Sequence, residues 1–143
     1  MTESDLRFPA GLSPLQCSVL SKMLDHPGDE FARIRAQLED SEVCSRESTG
    51  VGGYVNFSVP LASAFHGALK DGHIGGVYGI HSKLGVQGDF ELCISDGCIA
   101  FLEYVTPDEE WPNDDSLFEM FSHDGVGGTK ESPSEQVSGG NGG

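Results

Sequence analysis

Residues 89–105 read DFELCISDGCIAFLEYV, and the pair Asp96-Gly97 divides them into two apolar runs of strand character. Both central positions of a two-residue hairpin turn need φ > 0, which Asp-Gly supplies at low steric cost, so the stretch predicts a β-hairpin. The turn sets a register. Ser95 is expected opposite Cys98, Ile94 opposite Ile99, Leu92 opposite Phe101 and Phe90 opposite Glu103, with Cys93 against Ala100 and Glu91 against Leu102 on the reverse face. One face is then apolar and closes with the Glu103 carboxylate, which is expected to pair with Arg46 or Arg35 at the sheet rim. Cys93 and Cys98 fall on a diagonal of about 7–8 Å, at or beyond the reach of an unstrained disulfide. They read as packing thiols. No CxxC or HxxxH spacing is present to complete a tetrahedral metal site, so neither a metal nor any other cofactor is expected.

Outward from the hairpin, the period of two persists upstream. CSRES at 44–48 reads as a short strand, TGVGG at 49–53 as a turn, and YVNFSV at 54–59 as a strand with Val55, Phe57 and Val59 on one side and Pro60 ending it. IGGVYGIH at 74–81 is a strand weakened by its glycines. The intervening residues 60–75 fit a weak helical turn or a loop equally well.

Nearer the N-terminus the period lengthens. Ser13-Pro14 is a helix start, and Leu15, Val19, Leu20, Met23 and Leu24 recur at helical spacing until His26-Pro27-Gly28. Asp29 is expected to cap a second helix with Phe31, Ile34 and Leu38 on its apolar stripe and Arg33, Arg35, Gln37 and Glu39 facing away. The expected fold is therefore α+β: two N-terminal helices packed on an antiparallel sheet of four or five strands. Residues 1–123 form a single domain, and 124–143, rich in Gly and Ser with no apolar periodicity, form a disordered tail.

A chain of 143 residues fits one domain and can bury roughly two-thirds of its unfolded surface. Mean hydropathy is -0.23, and no apolar run approaches the ~20 residues of a membrane span. The N-terminus has neither a signal-like apolar region nor an Arg-rich character, so a cytoplasmic location is the simplest expectation, with the four cysteines as thiols.

Charge is the sharpest feature of the composition. Twenty-three acidic and eight basic residues give -15, and between Lys83 and Lys130 there are eleven carboxylates and no Lys or Arg. Such a field repels nucleic acid and anionic membrane and favours a basic partner; its plainer use is to keep the chain soluble.

Other motifs carry less. TGVGG lacks the Gly-Lys-Ser/Thr ending and the following helix of a phosphate loop, and HIGGVYGIH opens no helix as a dinucleotide fingerprint must. His66, His73 and His81 read as scattered surface histidines. No GxSxG elbow singles out a nucleophile.

Two segments, SRESTGVGGYVNFSV at 45–59 and GDFELCISDGCIAFLEYVTPDEEWP at 88–112, resemble a family of small uncharacterised bacterial proteins. In that family Ser-Arg-Glu-x-Thr-Gly-Val-Gly precedes a strand, and an Asp-Gly hairpin leads to Leu-Glu and a later Trp-Pro. The resemblance singles out Arg46, Glu47, Thr49, Gly50, Gly52, Asp96, Gly97, Leu102, Glu103, Trp111 and Pro112. It implies an α+β domain and lends no activity.

The function expected is that of a non-catalytic acidic interaction domain, such as an inhibitor or immunity-type protein, that binds a basic protein. Its interface is expected at Asp108, Glu109, Glu110, Asp114 and Asp115, with Trp111 as aromatic anchor. The alternative is a small hydrolase or small-molecule-binding domain in which Arg46 holds an anionic group and Glu47 and Glu103 supply a general base.

Overall fold

The computed structural model describes residues 6–62, 69–107 and 109–122, so the expected tail lies outside the described residues. Helix α1 runs Pro14–Met23, where Ser13 and Gln16 form a reciprocal capping box: the Ser13 hydroxyl accepts from the Gln16 amide, and the Ser13 amide donates to Gln16 Oε1 at 2.9 Å. Helix α2 runs Asp29–Asp40, and its N-cap position is Gly28, with Asp29 the first helical residue rather than the cap. Arg35 ties the helices together by donating to the Leu24 and His26 carbonyls at the C-terminal end of α1, at 2.6 and 3.0 Å.

The strands are β1 (Glu42–Ser48), β2 (Gly52–Ser58), β3 (Gly72–His81), β4 (Gln87–Ser95), β5 (Cys98–Val105) and β6 (Phe118–Ser122). They form one six-stranded sheet in the order β1-β2-β5-β4-β3-β6, with every pairing antiparallel. The expected four or five strands thus become six. FEMFS is too short to display a period of two in sequence, and becomes a strand because β3 offers it an edge between Val77 and His81.

Both helices lie on one face of this sheet. Leu20, Met23, Leu24, Ile34 and Leu38 are buried against Val55, Phe57, Phe90, Leu92, Ile99 and Leu102. Each such side chain contributes roughly 1.5–3 kcal/mol by leaving water. Buried and half-exposed residues alternate along β4, so the second sheet face carries the odd-numbered residues of that strand, and no described helix packs on it.

The central hairpin is present, with Asp96 at φ 57 and Gly97 at φ 78, the geometry that Asp-Gly turns adopt. Ser95 faces Cys98 and Ile94 faces Ile99 as expected, but Cys93 then pairs with Phe101, Leu92 with Leu102, Glu91 with Glu103 and Phe90 with Tyr104. Ala100 is the extra residue of a β-bulge. A one-residue slip flips every later side chain, so Phe101 and Glu103 leave the expected helix-side row for the open face.

Gln37 accompanies the bulge. It is 1% exposed rather than facing solvent with Arg33 and Glu39. Its side-chain oxygen accepts from the Ile99 amide at 2.9 Å and its nitrogen donates to the Gly97 carbonyl at 3.0 Å. The amide therefore supplies a donor and an acceptor to the hairpin where the ladder is irregular.

Candidate functional site

The register assigns each expected site residue to a face. Arg46 pairs with Val55, a fully buried residue of the helix side, whereas Glu47 pairs with Tyr54 on the open side. Neighbours in a strand point to opposite faces, so Arg46 and Glu47 do not converge. The Arg46 guanidinium approaches the Gly11 region instead, and Arg35 is engaged at α1; neither pairs with Glu103 as expected. Glu103 lies between Tyr54 on β2 and Glu91 on β4. An Arg46–Glu47–Glu103 catalytic pocket is not formed.

The acidic connection after β5 is held down from within. The Thr106 amide donates to the Val51 carbonyl at 2.7 Å and the Trp111 amide to the Gly50 carbonyl at 2.9 Å. The Thr106 hydroxyl donates to the carbonyls of Val51 and Glu109. The TGVGG turn and the Trp-Pro segment therefore meet as one junction, and TGVGG is the connection between β1 and β2. Close approach requires glycine there: a Cβ at Gly52 would sit 1.8 Å from the Tyr104 carbonyl oxygen.

The Trp111 indole packs inward on Tyr104, Phe118 and Phe90, with ring centroids 4.7, 5.0 and 5.9 Å away, and its N–H donates to Asp115 Oδ2 at 3.1 Å. These contacts make the partly buried indole an extension of the core. Asp114 accepts from the Ser116 hydroxyl and amide at 2.6 and 3.2 Å, and these bonds hold its carboxyl below the usual carboxylate range. Glu109 and Glu110 are exposed beside a depression of about 590 Å³ that Trp111, Pro112 and the exposed Leu84 also line. Asp108 lies outside the described residues.

The open sheet face carries a different constellation. Glu47, Tyr54, Glu103 and Glu91 stand side by side across β1, β2, β5 and β4. The charge of Glu103, then burial, a hydrogen bond to Glu103 and the charge of Glu47 all push the Tyr54 hydroxyl up. Burial first, then the charges of Glu91, Asp71 and Glu103, raise the Cys93 thiol. Glu91 is paired at 3.2 Å with His73 of β3.

A bulge in β3 between Ile74 and Val77 leaves Gly75 and Gly76 beside a groove of about 470 Å³, whose lining includes Asp89, Glu91, Glu103 and Val105. Aromatic pairs flank it: Tyr54 against Phe101 edge-on at 5.3 Å, and Tyr78 stacked on Phe121 at 5.5 Å. The sequence pattern singled out Glu47 and Glu103 but missed Tyr54, Asp89, Glu91 and Phe101. The polar side of the β4 alternation, Asp89-x-Glu91-x-Cys93, was the available signal.

The histidines separate. His73 lies on the open face, whereas His81 is 3% exposed; its Nδ1 accepts from the Lys83 and Leu84 amides and its Nε2–H donates to the Asp114 carbonyl at 3.0 Å. His66 lies outside the described residues. Among the described residues no group of three or more His, Cys, Asp and Glu side chains is placed to hold a metal, the four cysteines are free thiols, and no helix is long and apolar enough to cross a membrane.

The class defined by this architecture is an α+β domain whose antiparallel sheet is covered by helices on one face. Comparison with family models, curated proteins and solved structures found no match.

Proposed function

We propose that the protein is a non-catalytic acidic interaction domain that binds a basic protein, as inhibitor and immunity-type proteins do. One observation carries this reading. Among the described residues, Arg46 is the only Lys or Arg in the six strands and it faces the helix side, while the open face sets Glu91 against Glu103 with His73 paired to Glu91. Like charges directly opposite in a ladder cost stability. They pack no core here, and their use lies in attracting positive charge from outside the chain. A cytoplasmic setting and the absence of direct nucleic-acid binding belong to the same reading.

The test is capture on the immobilised full chain from lysate of the source organism, at low and then high salt, with retained proteins identified by mass spectrometry. The expected result is a basic protein retained at low salt, released as salt screens the field, and rebound by the purified chain. Retention of neutral or acidic proteins alone, or of none, overturns the proposal.

A further inference from the structure

We infer that the docking surface is the open sheet face rather than the 109–115 segment, and that its occupant is an arginine-bearing segment of the basic partner. The inference rests on the interaction-domain reading above and adds the surface and the contact chemistry. Interfaces draw their energy from aromatic and arginine contacts near the centre of a patch. On the open face aromatic rings lie on both sides of the groove: Tyr54 and Phe101 on β2 and β5, Tyr78 and Phe121 on β3 and β6. Between them Glu91 and Glu103 border about 470 Å³ of open volume. The acidic connection is built otherwise: its single indole is packed on three core rings, and Asp114 and Asp115 already accept hydrogen bonds from Ser116 and Trp111.

Charge selects the occupant. A second copy would bring another chain of net charge -15 against the same carboxylates, and self-repulsion opposes that arrangement. The chain's own residues 124–143 hold Asp124, Glu131 and Glu135 against Lys130 alone, so they do not complement the face either. Within a basic partner, arginine fits better than lysine. Its planar guanidinium stacks on Tyr and Phe rings and presents paired donors to carboxylates, whereas an ammonium is a compact, strongly hydrated point charge.

The experiment titrates the ¹⁵N-labelled full chain with a short Gly/Ser-spaced peptide carrying four arginines, and with its lysine counterpart, at low and high salt. Amide shifts are expected on β2, β3, β4 and β5 around Tyr54, Glu91 and Glu103, with the arginine peptide bound more tightly. The pair Glu91→Gln and Glu103→Gln should weaken binding about tenfold, the combined effect of two exposed ion pairs. Glu109→Gln with Glu110→Gln should change it by less than about twofold. Phe101→Ala changes no charge and should erase the preference for arginine.

Shifts confined to 109–115, with loss in the Glu109/Glu110 variant only, overturn the surface assigned here and leave the interaction-domain reading standing. Equal binding of both peptides, or an arginine preference that survives Phe101→Ala, overturns the aromatic contact. No salt-sensitive binding of either peptide overturns both the surface and the reading.

Discussion

Gln37 joins helix α2 to the central hairpin through both ends of its side-chain amide. It is buried with its oxygen on the Ile99 amide and its nitrogen on the Gly97 carbonyl, 62 and 60 residues away in sequence. Gln37→Leu retains volume but strands the Ile99 N–H, and should cost about 1–3 kcal/mol in urea unfolding; an unchanged midpoint would show that water replaces the amide. Tyr54 gives a second, pH-dependent test. Its folded pKa is raised by the charge of Glu103 and the other causes given above, so its contribution is fully present below the unfolded tyrosine pKa and is lost as pH rises through the folded one. Alkaline titration at 295 nm should show a late-ionising component that Tyr54→Phe removes. Tyr104, raised chiefly by burial, is the late component expected to remain.

At the scale of elements, the bulge in β5 and the junction between TGVGG and Trp-Pro determine what each surface can do. The bulge turns Glu103 outward. The junction draws Trp111 inward. Trp111→Ala should therefore destabilise the fold by about 3 kcal/mol, as a core truncation does, whereas loss of a solvent-exposed anchor would leave the melting temperature nearly unchanged. Gly52→Ala should be harmful through the β2–β5 ladder, because its added carbon meets the Tyr104 carbonyl and carbon at 1.8 and 2.7 Å, both backbone atoms that cannot swing aside. Thermal melting of this variant beside Gly75→Ala, whose nearest contact would be an ordinary 3.6 Å, separates close approach from the general effect of adding a methyl group. Equal melting temperatures for the two would refute the tight junction.

For the whole molecule, the dominant quantity is the excess of carboxylates. A net charge of -15 on 143 residues opposes compaction, and the opposed glutamates add a local component on the open face. Raising sodium chloride from a few millimolar to about 0.3 M shortens the screening length to below 10 Å. The melting temperature should rise, and less so in Glu103→Gln. A melting temperature independent of salt would mean that the charges are too widely spread to strain the fold.

Much of the architecture was legible in the linear pattern, because its signals are local. The Ser13–Gln16 capping box lies within one helical turn, the Asp96-Gly97 turn needs only its own two dihedral angles, and the alternation of β4 appears within nine residues. These local preferences determined the helices, the central hairpin and the α+β class, and composition determined the acidity. Tertiary structure decided the rest. Ala100 became a bulge where the distant Gln37 takes up the adjoining backbone, FEMFS became a sixth strand where β3 presented an edge, and Trp111 turned inward where Phe90, Tyr104 and Phe118 made room for it. A strand's faces reverse with a slip of one residue, so the bulge that Gln37 meets from some sixty residues away, rather than the local pattern, decided that Glu103 faces Glu91 in the open; the pairing of β1 with β2 decided that Arg46 lies behind the sheet.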